Sequence, residues 1–242
     1  MSRKLPLGEL DLPPEGVVHL WFLDLNKLGS PLMLSDDSAQ SSTLLPRHER
    51  TIRRFYLRLL LGAYLGVSGK DVRISRMVKG KPVLEPMVHQ HLLEFSSAGS
   101  NGCCLIGIST SGQLGVDLEV EGRKTTNPRS LAFRYFSKRE QDGFAQLEGH
   151  ELDRAFLHTW ACKEAVVKAA GHGIANQLSR FTVRIDPDEK AQVLEIEGDS
   201  PEEWQLNMVK PADGFVGCLA LRHPQLRFEG FKLGPVSKDQ ND

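Results

Sequence analysis

The 242-residue sequence predicts an α+β fold, and three stretches carry that prediction. Residues 156–173, FLHTWACKEAVVKAAGHG, space Phe156, Leu157, Ala161, Ala165, Val166 and Ala169 as the apolar surface of a packed helix. Residues 46–66, PRHERTIRRFYLRLLLGAYLG, read as a second helix with Pro46 in the tolerated first turn. Residues 114–121, LGVDLEVE, alternate strictly between apolar and small or acidic side chains, the period of a half-buried strand.

The remaining elements follow in order. Residues 17–25, VVHLWFLDL, form a strand buried on most of its surface, and a polar, serine-rich loop covers 29–43. After the helix from Pro46, residues 72–78 give a strand, and Lys79-Gly80-Lys81-Pro82 a basic turn. Residues 93–99, LEFSSAG, lead to Cys103–Ile108, a buried strand, and so to the acidic strand. Asn127 is expected to cap a helix whose first residue is Pro128. Ser137 and Glu140 have the spacing of a capping box. Strands are expected over 180–186, 204–210 and 215–222, and a frayed polar tail from about 232. The first half ends near Gly112, dividing the chain into 1–112 and 113–242.

Composition limits the function. With 40% hydrophobic and 25% charged residues the chain is of ordinary globular type, large enough for one domain or two intimate ones. A net charge of −1 gives no general attraction to nucleic acid or membrane, so any anion site must be a local cluster. No run reaches the ~18–20 apolar residues of a membrane span, and the first 16 residues lack the apolar core of a signal peptide. Cys103, Cys104, Cys162 and Cys218 form no C-x-x-C pair and read as small core residues in a reducing compartment, by default the cytoplasm. There is no G-x-S-x-G elbow, P-loop or H-E-x-x-H.

Two features point to chemistry. On the first helix Trp160, Glu164 and Lys168 stack four residues apart. Taken alone, Glu164 and Lys168 read as a surface ion pair. On the acidic strand Asp117 and Glu119 share one face, roughly 6.5–7 Å apart at the backbone. Carboxylates that close repel unless a cation lies between them, and a hard divalent ion such as Mg²⁺ suits them. By itself the D-x-E pair fits an exposed acidic face equally well. Arg47, Arg50, Arg53, Arg54 and Arg58 on the second helix form either a solvated basic face or an anion-binding surface.

Taken together, GVDLE and WACKEAVVKA resemble the signature pair of the 4′-phosphopantetheinyl transferases, G-[IV]-D-[IV]-E and W-x-x-K-E-[AS]-x-x-K. Phe136–Glu140 (FSKRE), Gly80-Lys81-Pro82 and the GHGIANQLSRFTV segment are similar to further family elements in the same order, so the resemblance spans roughly residues 45 to 222. The arrangement resembles the longer, Sfp-type members. It implies two similar α+β halves packed as a pseudo-dimer, with the active site in the cleft between them, in a monomer. Implied with it is transfer of 4′-phosphopantetheine from coenzyme A to a serine of an apo acyl or peptidyl carrier protein, releasing 3′,5′-ADP. Fatty-acid, polyketide and peptide-synthetase carriers, including those of siderophore pathways, share that serine. Asp117, Glu119 and Glu164 are the implied ligands of Mg²⁺ or Mn²⁺. Lys168 would hold phosphate, and Glu164 or a metal-bound water would be the base. Lys163 is expected to contact phosphate or the neighbouring carboxylates, and Trp160 to pack the helix against the acidic strand. Phosphates of coenzyme A are assigned to Arg58, which matches the family's arginine four residues before Gly62, and to Arg54, Lys81, Ser96 and Ser97. The LEFSSAG segment departs from the family's F-N-x-S-H-S-G: Ser97 stands at the histidine, with His89 and His91 as nearby alternatives. Phe133 and Phe136 are expected to help receive the protein substrate. The alternatives are another Mg²⁺-dependent phosphoryl or nucleotidyl transferase, and a carrier-binding protein without activity, motivated by Ser97.

Overall fold

A computed structural model describes residues 1–29, 46–78, 80–89, 93–171, 177–223, 225 and 227–235. Along the chain these form β1 (Ser2–Lys4), β2 (Val17–Asp24), α1 (Leu25–Leu28), α2 (Pro46–Leu65), β3 (Ile74–Arg76), β4 (Pro82–Leu84), α3 (Pro86–His89), β5 (Glu94–Ser100), β6 (Cys103–Ser109) and β7 (Leu114–Val120). They continue with α4 (Pro128–Tyr135), α5 (Lys138–Phe144), α6 (Gly149–Ala169), β8 (Phe181–Val183), β9 (Val193–Ile196), β10 (Gln205–Val209), β11 (Phe215–Leu221) and β12 (Arg227–Gly234). The fold is mixed α and β, as the periodicities predict. The serine-rich loop expected over 29–43, His91, Lys79 and Gly173 lie outside the described residues, apart from Gly29.

Two sheets organise the molecule. One runs β1-β12-β2-β6-β5 and the other β10-β11-β7. Because β2 is apolar at both parities, it can bury both faces. Trp21 and Leu23 pack with Ile52, Tyr56, Leu60, Leu61 and Tyr64 of α2. On the opposite side, Val18, Leu20 and Phe22 join Leu105 in a core shared with Leu114, Val116 and Leu118 of β7 and Leu219 and Leu221 of β11. α6 covers the outer face of the second sheet through Ala161, Cys162, Ala165, Val166 and Ala169. The edge strands β5 and β7 are stitched where Val116 N–H donates to Ser96 Oγ at 3.1 Å. All four cysteines are buried and free.

Several expectations are corrected. The helix expected from Phe156 begins two turns earlier, at Gly149. Asn127 makes no side-chain cap. Its backbone is left-handed (φ 56°), a conformation asparagine tolerates, so it serves as a turn before Pro128. The Ser137–Glu140 capping box is formed in both directions. The strand expected at 72–78 shortens to Ile74–Arg76 and the one at 180–186 to Phe181–Val183, while β9 was not foreseen.

The larger correction concerns the C-terminus. Lys232, Leu233 and Gly234, the first residues of the segment expected to fray, belong to β12, which lies between β1 and β2, parallel to both, while 236–242 lie outside the described residues. β12 therefore joins the sheet built by the first half, and division of the chain at Gly112 does not divide the sheets. Polar residues mask the strand because its apolar positions are few. Phe231 stacks on Trp21 at 4.8 Å between ring centroids, and Leu233 is buried beside it. Phe231→Ala is expected to cost about 3–5 kcal/mol in a denaturant titration, the range for emptying a buried aromatic site. A truly frayed tail would show almost no change.

Candidate active site

The alternation of β7 decides where its charges go. Leu114, Val116 and Leu118 face the inter-sheet core, so Gly115, Asp117 and Glu119 face α6. A Cβ at Gly115 would fall 2.0 Å from Ala165 O and 2.4 Å from Ala169 N, so the helix backbone rests on the strand at that point. This close approach brings the last turns of α6 over the acidic residues. Lys168 Nζ pairs with Asp117 Oδ1 at 2.6 Å and stands 3.7 Å from Glu164 Oε2, while Glu119 Oε2 meets Arg123 Nη2 at 3.4 Å.

Asp117, Glu119 and Glu164 are all buried. Burial, reinforced by the Asp117 charge, pushes the Glu119 carboxyl up to about 7. Burial also raises Glu164, opposed by Lys168. For Lys168 burial works against the charge, yet Asp117, Glu164 and Glu119 outweigh it and hold the ammonium above its usual range. Three buried carboxylates facing the Lys168 ammonium and the Arg123 guanidinium still leave a deficit of positive charge. The deficit is visible at one atom, since Asp117 Oδ2 is buried with no hydrogen-bond partner. Among the described residues no group of three His, Cys, Asp or Glu is set closely enough to hold a metal by itself. The donor chemistry and the orphaned oxygen nevertheless fit a hard divalent cation whose remaining ligands come from water and substrate. A cavity of about 370 Å³ lined by Glu121, Arg123, Asp153, Leu157 and His158 opens at the end of β7, not over Lys168. Charge, not cavity volume, marks the site.

The other expected residues divide. Lys81 reaches the rim: Nζ donates to Ala169 O at 3.3 Å and Leu114 O at 3.4 Å, with Glu94 Oε2 at 3.7 Å. It holds the C-terminus of α6, where free carbonyls and the helix dipole attract a cation. Ser96 Oγ is committed as the acceptor for Val116, and Ser97 is half-buried on the α2-facing side of β5. Arg58 is turned away from the cluster, donating to Gly69 O at 3.5 Å and to Val72 O, and Arg54 is exposed. His89 accepts from Arg73 N–H at 2.8 Å and so holds a turn.

Lys163 requires the clearest correction. It is fully buried and points away from Asp117, because residue 163 lies on the other side of α6 from 164 and 168. Its Nζ pairs with Glu140 Oε2 at 2.8 Å and donates to Leu178 O and Phe181 O, each at 2.6 Å. Glu140 Oε1 in turn accepts from Val183 N–H at 2.7 Å, and Oε2 from Ser137 N–H at 2.9 Å. FSKRE therefore supplies the partner of this lysine, a link that the capping-box spacing alone concealed. Trp160 likewise leaves the acidic strand, stacking on Phe156 (5.9 Å) and meeting Phe136 at a tilt (6.3 Å). Phe136 is core, whereas Phe133 is exposed. Arg123, the partner of Glu119, was not anticipated, since nothing in the sequence folds the turn after β7 back onto it.

Comparison with known proteins bears on the same residues. Residues 113–220, which contain the acidic strand and α6, match the family model described as the 4′-phosphopantetheinyl transferase superfamily. The chain is 32% identical to the 4′-phosphopantetheinyl transferase HetI of Nostoc sp. over 84% of its length and 87% of that protein. It belongs to the 4′-phosphopantetheinyl transferase family. As a member it is a transferase. It is also 28% identical to the 4′-phosphopantetheinyl transferase Sfp of Bacillus subtilis, covering 80% of this chain and 89% of Sfp. Similarity extends to the human L-aminoadipate-semialdehyde dehydrogenase-phosphopantetheinyl transferase, at 24% identity over 71% of this chain and 60% of that protein.

The geometry separates two lysines five residues apart. Lys163→Met should cost about 3–5 kcal/mol in chemical denaturation, because Glu140 would keep its buried charge without a partner. Adding Glu140→Gln should recover much of that loss. A cost below 1 kcal/mol for Lys163→Met would contradict the buried pair.

Proposed function

We propose that this transferase moves the 4′-phosphopantetheine group of coenzyme A to the hydroxyl of a serine on an apo acyl or peptidyl carrier protein, releasing 3′,5′-ADP. The observation that carries the proposal is the convergence of Asp117, Glu119, Glu164 and Lys168 between β7 and α6. The two helix-covered sheets meeting at β5 and β7 support reading the molecule as the family's pseudo-dimer, with the site in the cleft between its halves. In our reading the protein acts as a cytoplasmic monomer.

The residues divide the work as follows. Asp117, Glu119 and Glu164 would hold Mg²⁺ or Mn²⁺, which when bound supplies positive charge to the pyrophosphate. Lys168 has a 27% exposed side chain, so its ammonium can reach phosphate oxygens while remaining anchored to Asp117. Fixed positive charge there stabilises the oxygen that departs with 3′,5′-ADP. The serine Oγ forms a bond to the pantetheine-side phosphorus as the bond from that phosphorus to the bridging oxygen breaks. The hydroxyl proton passes to Glu164 or to a water at the site, the first option requiring one carboxylate to serve as both ligand and base. Lys81 fixes the end of α6 beside Lys168 and so keeps the phosphate-facing ammonium in place.

The test is the intact mass of an apo-carrier incubated with the protein, coenzyme A and Mg²⁺. A gain the size of phosphopantetheine with release of 3′,5′-ADP is expected, and chelation should abolish it. Asp117→Ala and Lys168→Ala should each lower the rate by about 10²-fold or more. Release of AMP or inorganic phosphate would point to a different transfer. Carrier binding without modification would instead establish a non-catalytic role.

A further inference from the structure

Two of the four cysteines are set apart from the others. Cys103 and Cys104 are neighbours in β6, and burial pushes their thiols up to about 11 and about 12, which leaves them unreactive. Cys162 of α6 and Cys218 of β11 come from different elements and meet in the core beneath the helix. Cys218 is the ladder partner of Met208 in β10, and Cys162 lies over that pair, its Sγ 3.6 Å from Met208 Sδ. The two thiols are hydrogen-bonded to each other, and His158, one turn before Cys162, brings Nε2 to 3.9 Å from the same sulfur. The hydrogen bond with Cys218, with His158 beside it, holds the Cys162 thiol below its usual range against the effect of burial, while the same bond and burial raise Cys218. A lowered thiol next to a second thiol is the arrangement of an attacking and a resolving cysteine.

The pair is reached from one side. His158 and Met208 both line the cavity of about 370 Å³ at the end of β7, so a wall one side chain thick separates that cavity from Cys162. Part of the wall is a methionine, an unbranched side chain that repacks readily. Such a wall admits a molecule the size of hydrogen peroxide and excludes a bulky disulfide such as oxidised glutathione. The pair also borders the acidic site. Cys218 is the ladder partner of Asp117, and Cys162 lies two residues before Glu164. A cystine holds its sulfurs about 2.05 Å apart, well inside the non-bonded contact of two thiols. Closing that bond would draw α6 and β11 together at the level of the carboxylates.

We propose that Cys162 and Cys218 form a peroxide-sensitive dithiol whose oxidation to a disulfide slows the transferase. Cys162 Sγ attacks one oxygen of the peroxide, the O–O bond breaks, and the sulfur becomes a sulfenic acid. The other oxygen leaves as water with the thiol proton. Cys218 Sγ then attacks the oxidised sulfur, the S–O bond breaks, and the hydroxyl leaves as a second water with the Cys218 proton. The two thiols together lose two electrons, and the peroxide gains them in becoming two waters. The effect on rate rests on transfer from coenzyme A as the activity, while formation of the bond does not.

The experiment exposes folded wild type, Cys162→Ala and Cys218→Ala to hydrogen peroxide and reads two quantities. Fragments released by proteolysis without reduction are weighed, and phosphopantetheine transfer to an apo-carrier is timed before oxidation, after it, and after dithiothreitol. In wild type a cross-link between the fragments carrying residues 162 and 218 is expected. The rate should fall about tenfold or more, since a displacement of about 1 Å at a reacting site can cost about 10²-fold. Dithiothreitol should restore both, which methionine sulfoxide at Met208 would not allow. Each alanine variant should transfer at the reduced wild-type rate and keep that rate in peroxide. Should one variant fail to fold, the other and the wild-type fragment map decide. Active wild type that forms no cross-link overturns the inference and leaves the functional reading intact. A cross-link that leaves the rate unchanged also overturns it, as does peroxide inactivation of Cys162→Ala to the wild-type extent, which would place the damage at another residue. Reduced wild type that modifies no carrier overturns the functional reading instead, and the fragment map still decides whether the dithiol closes.

Discussion

The absence of a side chain at residue 115 governs the geometry of the site. At that residue the backbone of α6 comes so close to β7 that a Cβ would overlap Ala165 O. Helix–sheet spacing is normally set by interposed side chains, near 10 Å for packed layers. Removing one of them lets the helix sink locally and carries Glu164 and Lys168 down onto Asp117. The 2.6 Å contact between Lys168 and Asp117 is thus a consequence of backbone packing as much as of charge. The inter-sheet core on the other face of β7 holds the strand against that pressure. Leu114, Val116 and Leu118 are anchored among Val18, Leu20, Leu105 and Leu219, so β7 cannot recede.

Buried charge is handled in two opposite ways on α6. Around Lys163 the account is closed: one carboxylate, two carbonyls and the face of Phe181 at 4.2 Å satisfy the ammonium. That arrangement ties α6 to α5, to the turn at Leu178 and to β8, fixing the helix against rotation. Around Lys168 the account is left open, with three carboxylates, one ammonium, the Arg123 guanidinium on Glu119 and an orphaned Asp117 oxygen. A satisfied network supplies rigidity, while an unsatisfied one supplies affinity for what is missing. The two networks lie on opposite sides of one helix, so the rigid one positions the reactive one.

The closing strand β12 shows how the two ends of the chain are combined. Running parallel to β1 and β2, it brings the last described residues into the sheet that carries α2. The two sheets are therefore joined through their shared core, through the Ser96–Val116 stitch at the β5–β7 edge, and through the chain where it passes from β6 to β7 and from β11 to β12. Any motion of α2 relative to α6 must be accommodated by these connections.

The sequence by itself determined the periodic and local features. The period-two alternation of LGVDLEVE put Asp117 and Glu119 on one face, and the four-residue spacing of Glu164 and Lys168 put them on one side of a helix. The Ser137–Glu140 capping box, complete within four residues, was legible for the same reason. Family resemblance then joined the acidic strand to the helix, a pairing that neither period contains. What only the tertiary structure decided were the long-range partners. Lys163 and Lys168 differ little as sequence, being two lysines in one motif. Their separation is about 500° of helical turn at 100° per residue, equivalent to 140°, which sends one to Glu140 and the other to Asp117. The polar alternation of β12 hid a strand whose burial depends on Trp21, more than two hundred residues away. Arg58 could not be told from Arg54 in the sequence, because a run of basic residues states only that charge is present; the fold turns Arg58 onto the carbonyls of Gly69 and Val72 and leaves Arg54 exposed.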